Sequence, residues 1–135
     1  MARWIRFKRQ NSETVEFGAI VANDVDGRHV TVYQGDIFSE PVATDEVLQE
    51  NDLTLLTPCW PGKMLGLWNN VRSVAEKKDL GIPEEPLYFL KASNCYLAHQ
   101  GEIQRPEYYD GRIIYEGELG LVIGKTCRNV SVDEA

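Results

Sequence analysis

Apolar alternation with β-forming residues is the first regularity in the chain. It predicts strands over residues 3–8, 15–22 and 28–33, separated by the turn signals RQNSE and NDVDG, so the first quarter reads as a small antiparallel β unit. DIFSEPVATDEVLQENDLTLLTP is polar and turn-rich before LTLL. The expectation there is a loop, a short helical turn and a strand ending at Pro58. PGKMLGLW then reads as a second buried strand.

NNVRSVAEKKDLG predicts a short helix, with an Asn cap at its start, good helix formers inside and Gly81 just past its end. Val71, Val74 and Ala75 make one narrow apolar face. IPEEP is a proline-bracketed loop, and LYFLK is another strand. After the mixed segment HQGEIQRPEYYDGR comes a long strand prediction, IIYEGELGLVIGK, residues 113–125. No internal repeat or low-complexity tract interrupts the pattern. The expected fold class is mostly β with short helices (α+β). SVDE at 131–134 has the form of a capping box, which announces a helix, and the chain stops one residue later. The expectation drawn from this is a sequence that was cut, processed or completed by another polypeptide.

Composition narrows the function classes. With 135 residues, 43% hydrophobic and 26% charged, the chain suits a soluble globular protein, with one domain as the default. A net charge of −7 argues against a nucleic-acid surface, which needs a basic stripe to displace counterions from phosphates. The one basic cluster, ARWIRFKR, reads as a first strand with charged edges. The chain has no apolar run of the roughly 18 residues a membrane span needs and no secretory leader, so the expected location is cytoplasmic, without a membrane partner. Cys59, Cys95 and Cys127 fit reduced thiols better than a disulfide framework, and His29 and His99 are too isolated from them to suggest a zinc site.

Chemistry concentrates in the long strand prediction. Residues i and i+2 of a strand share a face, so Glu116 and Glu118 would point the same way with β-carbons about 6–7 Å apart. Both carboxylates could then reach one hard cation such as Mg²⁺. A Glu-x-Glu pair is usually a solvated outer face. Here the same face continues with Gly120, Val122 and Gly124, the other carries Tyr115, Leu119, Leu121 and Ile123, and neither looks dedicated to water. Two carboxylates in such a place repel and are desolvated unless a cation joins them.

These residues resemble a known family. YEGELGLVIGKTCRNVSVDEA is similar to the metal-site segment of the fumarylacetoacetate hydrolase family, as are PEEPLYFLKAS upstream and RWIRFKR…EFGAIV at the N-terminus; GLWNN resembles the 2-hydroxyhepta-2,4-diene-1,7-dioate isomerase-like subset. The resemblance implies a small N-terminal β domain, residues 1–57, followed by the N-terminal part of a β-rich catalytic core, residues 58–135. It implies Mg²⁺ (or Mn²⁺ or Ca²⁺) and a small 2-oxo acid substrate that is isomerised, decarboxylated or cleaved at a C–C bond. Glu116 and Glu118 match two of the family's three carboxylate ligands, Glu76 its catalytic acidic position, and Lys91 lies in a family-like strand as a substrate-binding candidate. A divalent ion chelating a 2-oxo acid polarises its carbonyl and stabilises a developing enolate, so the chemistry agrees.

Two departures shape the expectation. Many members carry a loop like Asn-Tyr-Arg-Asp-His-Ala-Ala-Glu, whereas NNVRSVAE puts Ser73 at the His position, or Arg72 if the register shifts by one. Without that His a water-activating base is missing, which weakens hydrolysis against isomerisation or decarboxylation. The family's third carboxylate ligand, an Asp, and a substrate-binding Lys lie beyond RNVS and past the last residue given. The expectation is an enzyme part whose site is completed by a second subunit or a C-terminal half, in a dimer or higher oligomer. The alternative is a non-catalytic subunit or pseudoenzyme that keeps the scaffold for assembly.

Overall fold

The computed structural model describes residues 2–135. The β-branched and aromatic residues of the first third form the expected strands, Arg3–Arg9 (β1), Glu16–Asp24 (β2) and Gly27–Gln34 (β3), paired antiparallel in sequence order. The β2–β3 hairpin closes at Val25 and Asp26. Asp24 accepts the Asp26 amide at 3.0 Å, and Gly27 sits at φ +109°, a conformation that suits a residue without a β-carbon.

The fourth strand corrects the sequence reading. Residues expected as loop and helical turn form Val42–Gln49 (β4), paired with β3, and the helical turn follows it as a short 3₁₀ segment, Glu50–Asp52. Polarity misled because β4 is a sheet edge with one wet face: Leu48 joins the core while Val42 and Val47 are exposed. Its pairing shifts register between Thr31 and Tyr33, and the Thr44 hydroxyl donates to the Val32 carbonyl at 2.9 Å inside that irregularity. Leu53–Leu55 (β5) pairs with β1 on the other side, giving a five-stranded sheet of order β4-β3-β2-β1-β5.

Phe7, Val30 and Val32 are the buried centre of this sheet, with Ile5, Ile20, Leu48, Leu53 and Leu55 packed around them. Gly18 permits the closeness. A β-carbon there would lie 2.5 Å from Val30 Cγ1 and 2.8 Å from the Thr31 carbonyl oxygen. Arg9 then ties distant strands together: it donates to Glu16 on β2 at 2.7 and 2.9 Å and to Glu46 on β4 at 2.7 Å. In a flat sheet β1 and β4 are about 14 Å apart, so this bridge requires a strongly curled sheet. Glu50, the buried charged residue, pairs with Arg28.

Beyond β5 the packing thins. Met64–Trp68 (β6) and Leu87–Lys91 (β7) form a two-stranded antiparallel ribbon, with the Phe89 ring lying against Gly66. β6 is a strand, as expected, but only Gly66 in it is buried. Between them Arg72–Lys77 (α1) is the predicted helix with different ends. Val71, not an Asn, precedes its first turn, and no side chain caps it; Asn69, at φ +54°, instead donates to the Gly81 carbonyl at 2.9 Å. Asp79, at φ +52°, makes the reversal expected near Gly81. Of the narrow apolar face Ala75 is buried, whereas Val71 and Val74 are exposed.

Among the described residues none after Lys91 lies in a strand; short 3₁₀ turns, Ser93–Cys95 and Val132–Glu134, are the regular structure there. The strand expected over 113–125 is therefore corrected. Its residues have no neighbouring strand to take their amides and carbonyls, and an unpaired strand has little to hold it in water. The capping signal does form: the Ser131 amide and hydroxyl donate to Glu134 at 3.2 and 2.7 Å, and those bonds hold its carboxyl below the usual range. The chain exposes 11978 Å². A compact monomer of this mass exposes about 7,100 Å².

The Arg9 bridge sets an acid limit. Its hydrogen bond, then its charge, hold the Glu46 carboxyl below its ordinary 4.5. A carboxyl depressed in the folded state contributes stability above its unfolded value and loses it as pH falls through the folded one. Denaturant unfolding between about pH 3 and 6 should show a shallower acid loss in Glu46→Gln than in the wild type. An unchanged acid slope would remove Glu46 from the bridge.

Candidate functional site

Each candidate residue is placed by the element that carries it. Glu76 lies on α1 with its carboxylate exposed, while Ala75 next to it is the helix's buried anchor. Ser73 occupies the first turn of the same helix, where it is exposed. Lys91 ends β7, half-buried, with its Nζ 5.8 Å from the centre of the Phe89 ring. Residues i and i+2 share a strand face, which brings the Lys91 ammonium to cation–π distance of the Phe89 ring.

The ribbon separates the first two candidates. α1 follows from the end where Trp68 pairs with Leu87, whereas Lys91 pairs with Met64 at the other end. Four residue steps lie between, roughly 13 Å of strand. Glu116 and Glu118 are exposed, and so are Tyr115, Leu119, Leu121 and Ile123 beside them. A β-carbon added at Gly117 or Gly120 would meet nothing within 4 Å.

The donor set can be tested on its chemistry. Two carboxylates in one short stretch are hard oxygen donors and suit a hard divalent ion, but they fill a third of the six positions Mg²⁺ takes. Among the described residues no group of three or more His, Cys, Asp or Glu is close enough to hold a metal. Glu116 and Glu118 therefore fit such an ion as a partial set. Among the described residues nothing else supplies a further ligand in this arrangement.

The concave places lie elsewhere. A cleft of about 340 Å³ is lined by Trp4, Ile20, Arg28, Glu50, Leu97 and His99, where the segment after β7 comes over the first sheet. Another, on the Arg9 side, is lined by Glu16, Tyr33, Thr44 and Glu46. Neither includes Glu76, Lys91, Glu116 or Glu118. The sequence reading also passed over a set of contacts joining the first sheet to the later segment: Arg6 with Thr57 and Trp60, and Trp60 with Tyr96. Arg6 stood out only as a member of the basic cluster, and no local pattern announces a partner 51 positions away. The loop before Glu116 is ordered by its own residues, since Arg105 donates to the Tyr109 carbonyl at 2.8 Å and to that of Gly111.

Comparisons with known proteins follow the same division. The family model described as Fumarylacetoacetate (FAA) hydrolase C-terminal matches residues 63–135, and the one described as Rv2993c-like, N-terminal matches residues 2–58. A 4-hydroxyphenylacetate degradation bifunctional isomerase/decarboxylase of Salmonella dublin is 37% identical over 98 residues, covering 70% of this chain and 21% of its own. A 2,4-didehydro-3-deoxy-L-rhamnonate hydrolase of a Sphingomonas strain is 39% identical over 74 residues, covering 55% and 26%. The solved structure of Cg1458 superposes with a TM-score of 0.52 at 23% identity, covering 69% of this chain and 33% of that one. The chain thus spans less than a third of the length of the curated relatives it matches. Among the described residues no helix is long and apolar enough to cross a membrane.

The exposure of 113–124 has a direct consequence for exchange. In this chain by itself, amides of that stretch should exchange with deuterium within about ten-fold of unstructured rates, while those of β1 to β3 are strongly protected. Protection of residues 113–124 equal to that of the sheet would contradict the structure.

Proposed function

The chain belongs to the fumarylacetoacetate hydrolase family, and from that premise we propose that it is part of a divalent-metal-dependent enzyme acting on small 2-oxo or enol acids. The reading is carried by one observation: the Glu116–Glu118 pair lies inside the matched stretch, 63–135, with an incomplete set of ligands. The Mg²⁺ ion (or Mn²⁺ or Ca²⁺) would be held by these two carboxylates together with groups from a second subunit or a C-terminal region. When bound, it would polarise the substrate's oxo group.

The chain's own residues take the remaining roles. Lys91, an ammonium on a strand end, would attract and orient the substrate carboxylate. Glu76, an exposed carboxylate on a short helix, would accept or return a proton once substrate and helix are brought together. Isomerisation and decarboxylation suit this set better than hydrolysis, because Ser73 or Arg72 stands where a water-activating His would be needed. The two relatives named above carry isomerase/decarboxylase and hydrolase activities in their names, so both outcomes have precedent in the family.

The exposed area favours an assembled state. Leu65, Trp68, Tyr88, Leu90, Leu119 and Leu121 are open to water, and the surface exceeds that of a compact monomer by about two-thirds. In the proposed assembly, a dimer or larger in the cytoplasm, β6, β7 and residues 113–124 gain neighbouring strands. A second reading has its own support. Ser73 in place of a His suits a non-catalytic subunit that retains the scaffold.

Metal binding by the completed assembly separates them. Calorimetric titration with Mn²⁺ should give at least about a ten-fold loss of affinity in Glu116→Gln and in Glu118→Gln. Unchanged affinity would sink the metal assignment. Turnover of oxaloacetate or an acylpyruvate that survives Glu116→Ala would leave this chain with the structural role.

A further inference from the structure

We propose that Arg6 is a positioning residue: through Trp60 and Tyr96 it fixes the segment after β7, and with it Lys91, against the first sheet. The inference goes beyond the proposed function and leans on it only in assigning Lys91 to the substrate.

The contacts run through three stretches of chain that are remote in sequence. On β1, the Arg6 carbonyl accepts the Leu56 amide at 2.8 Å, just past the end of β5. Its guanidinium donates to the Thr57 carbonyl at 3.0 Å and to the Thr57 hydroxyl at 3.1 Å. Thr57 lies beyond the end of β5, so a side chain does there what a strand neighbour does elsewhere. The guanidinium carbon also stands 6.0 Å from the centre of the Trp60 ring. One planar cation thereby holds both ends of residues 57–60.

Trp60 passes the constraint on. Its ring meets Tyr96 edge to face, with centroids 5.8 Å apart and planes at 90°. The Tyr96 hydroxyl reaches the Pro61 carbonyl at 3.5 Å, a long contact, so the rings hold the position more than the hydroxyl does. Tyr96 closes the 3₁₀ turn Ser93–Cys95, which is tied by the Cys95 amide to the Ala92 carbonyl at 2.9 Å. Ala92 follows Lys91 directly. With the turn short and closed, holding Tyr96 places the end of β7.

The role differs from support of the sheet. Arg6 is not among the residues packed with Phe7, Val30 and Val32, and the β1–β2 register needs only its backbone. Removing its side chain should release residues 57–61 and 92–96 while the five strands stay paired. Lys in its place keeps the charge and an ammonium that can donate to Thr57 but loses the planar fork, so it should restore part of the coupling.

The cysteines provide built-in probes in the full chain. Cys59, half-buried, adjoins Trp60; Cys95 adjoins Tyr96; Cys127, exposed, lies far along the chain and serves as the control. Iodoacetamide labelling read per site by mass spectrometry should be about five-fold faster at Cys59 in Arg6→Ala and Trp60→Leu, intermediate in Arg6→Lys, and unchanged at Cys127. Tyr96 ring resonances should move towards random-coil positions in the same variants, with β1–β3 amide protection retained. In a Trp60→Leu background, Arg6→Ala should add nothing at Tyr96. Equal loss of protection across the sheet, or Tyr96 resonances that ignore Arg6→Ala, overturns the proposal. In the assembled enzyme Arg6→Ala should raise KM for the 2-oxo acid about ten-fold with kcat within about two-fold. A wild-type assembly without turnover would overturn the functional reading alone, because labelling and ring shifts still decide the coupling.

Discussion

Strand amides and carbonyls need partners, and the five strands between Arg3 and Leu55 supply them to one another, leaving only the outer sides of β4 and β5 without a strand neighbour. The order β4-β3-β2-β1-β5 gives the middle three strands two neighbours each, and curling brings the edge strand β4 within reach of Arg9. Packing then follows from pairing. With strands fixed in register, Phe7, Val30 and Val32 meet on one face over Gly18, and a small core becomes closed. Beyond β5 the same requirement is met only by the β6–β7 ribbon, and a two-stranded ribbon is marginal by itself.

This division decides what the sequence could reveal. Strands β1 to β3 and β7 were legible because alternation, β-forming residues and the NDVDG turn all agree locally. β4 was not, because TDEV carries polar residues that an edge strand tolerates and a loop also favours. The helix was legible as a helix but not in its ends, since Asn69 found the Gly81 carbonyl twelve residues on instead of the first turn. Residues 113–125 carry strong strand propensity, yet propensity does not supply the neighbour that a strand requires. Their local signal states a preference that this chain cannot satisfy by itself.

Candidate site residues were legible to a different degree. Glu116 and Glu118 stand out through spacing alone, and no structural context is needed to see that both can serve one cation. Glu76 and Lys91 emerge only by likeness to a family, because neither a lone carboxylate on a short helix nor a lysine at a strand end has a spacing that marks it out. Arg6, Trp60 and Tyr96 had no readable signal, because their relation exists only once β1, residues 57–61 and residues 92–96 are folded together.

Burial and charge are coupled in the carboxylate stretch. In water, two exposed glutamates two residues apart repel weakly and need no ion, so the extended 113–124 segment is electrostatically undemanding as it stands. Drawing Leu119, Leu121 and Ile123 out of water against neighbouring strands is favourable, but it carries Glu116 and Glu118 into a poorer solvent, where their repulsion grows. A divalent cation removes that opposition and is itself better held where water is scarce. On the proposed reading, strand pairing and cation binding are therefore a single event: the partner that completes the sheet also creates the place where two glutamates become ligands.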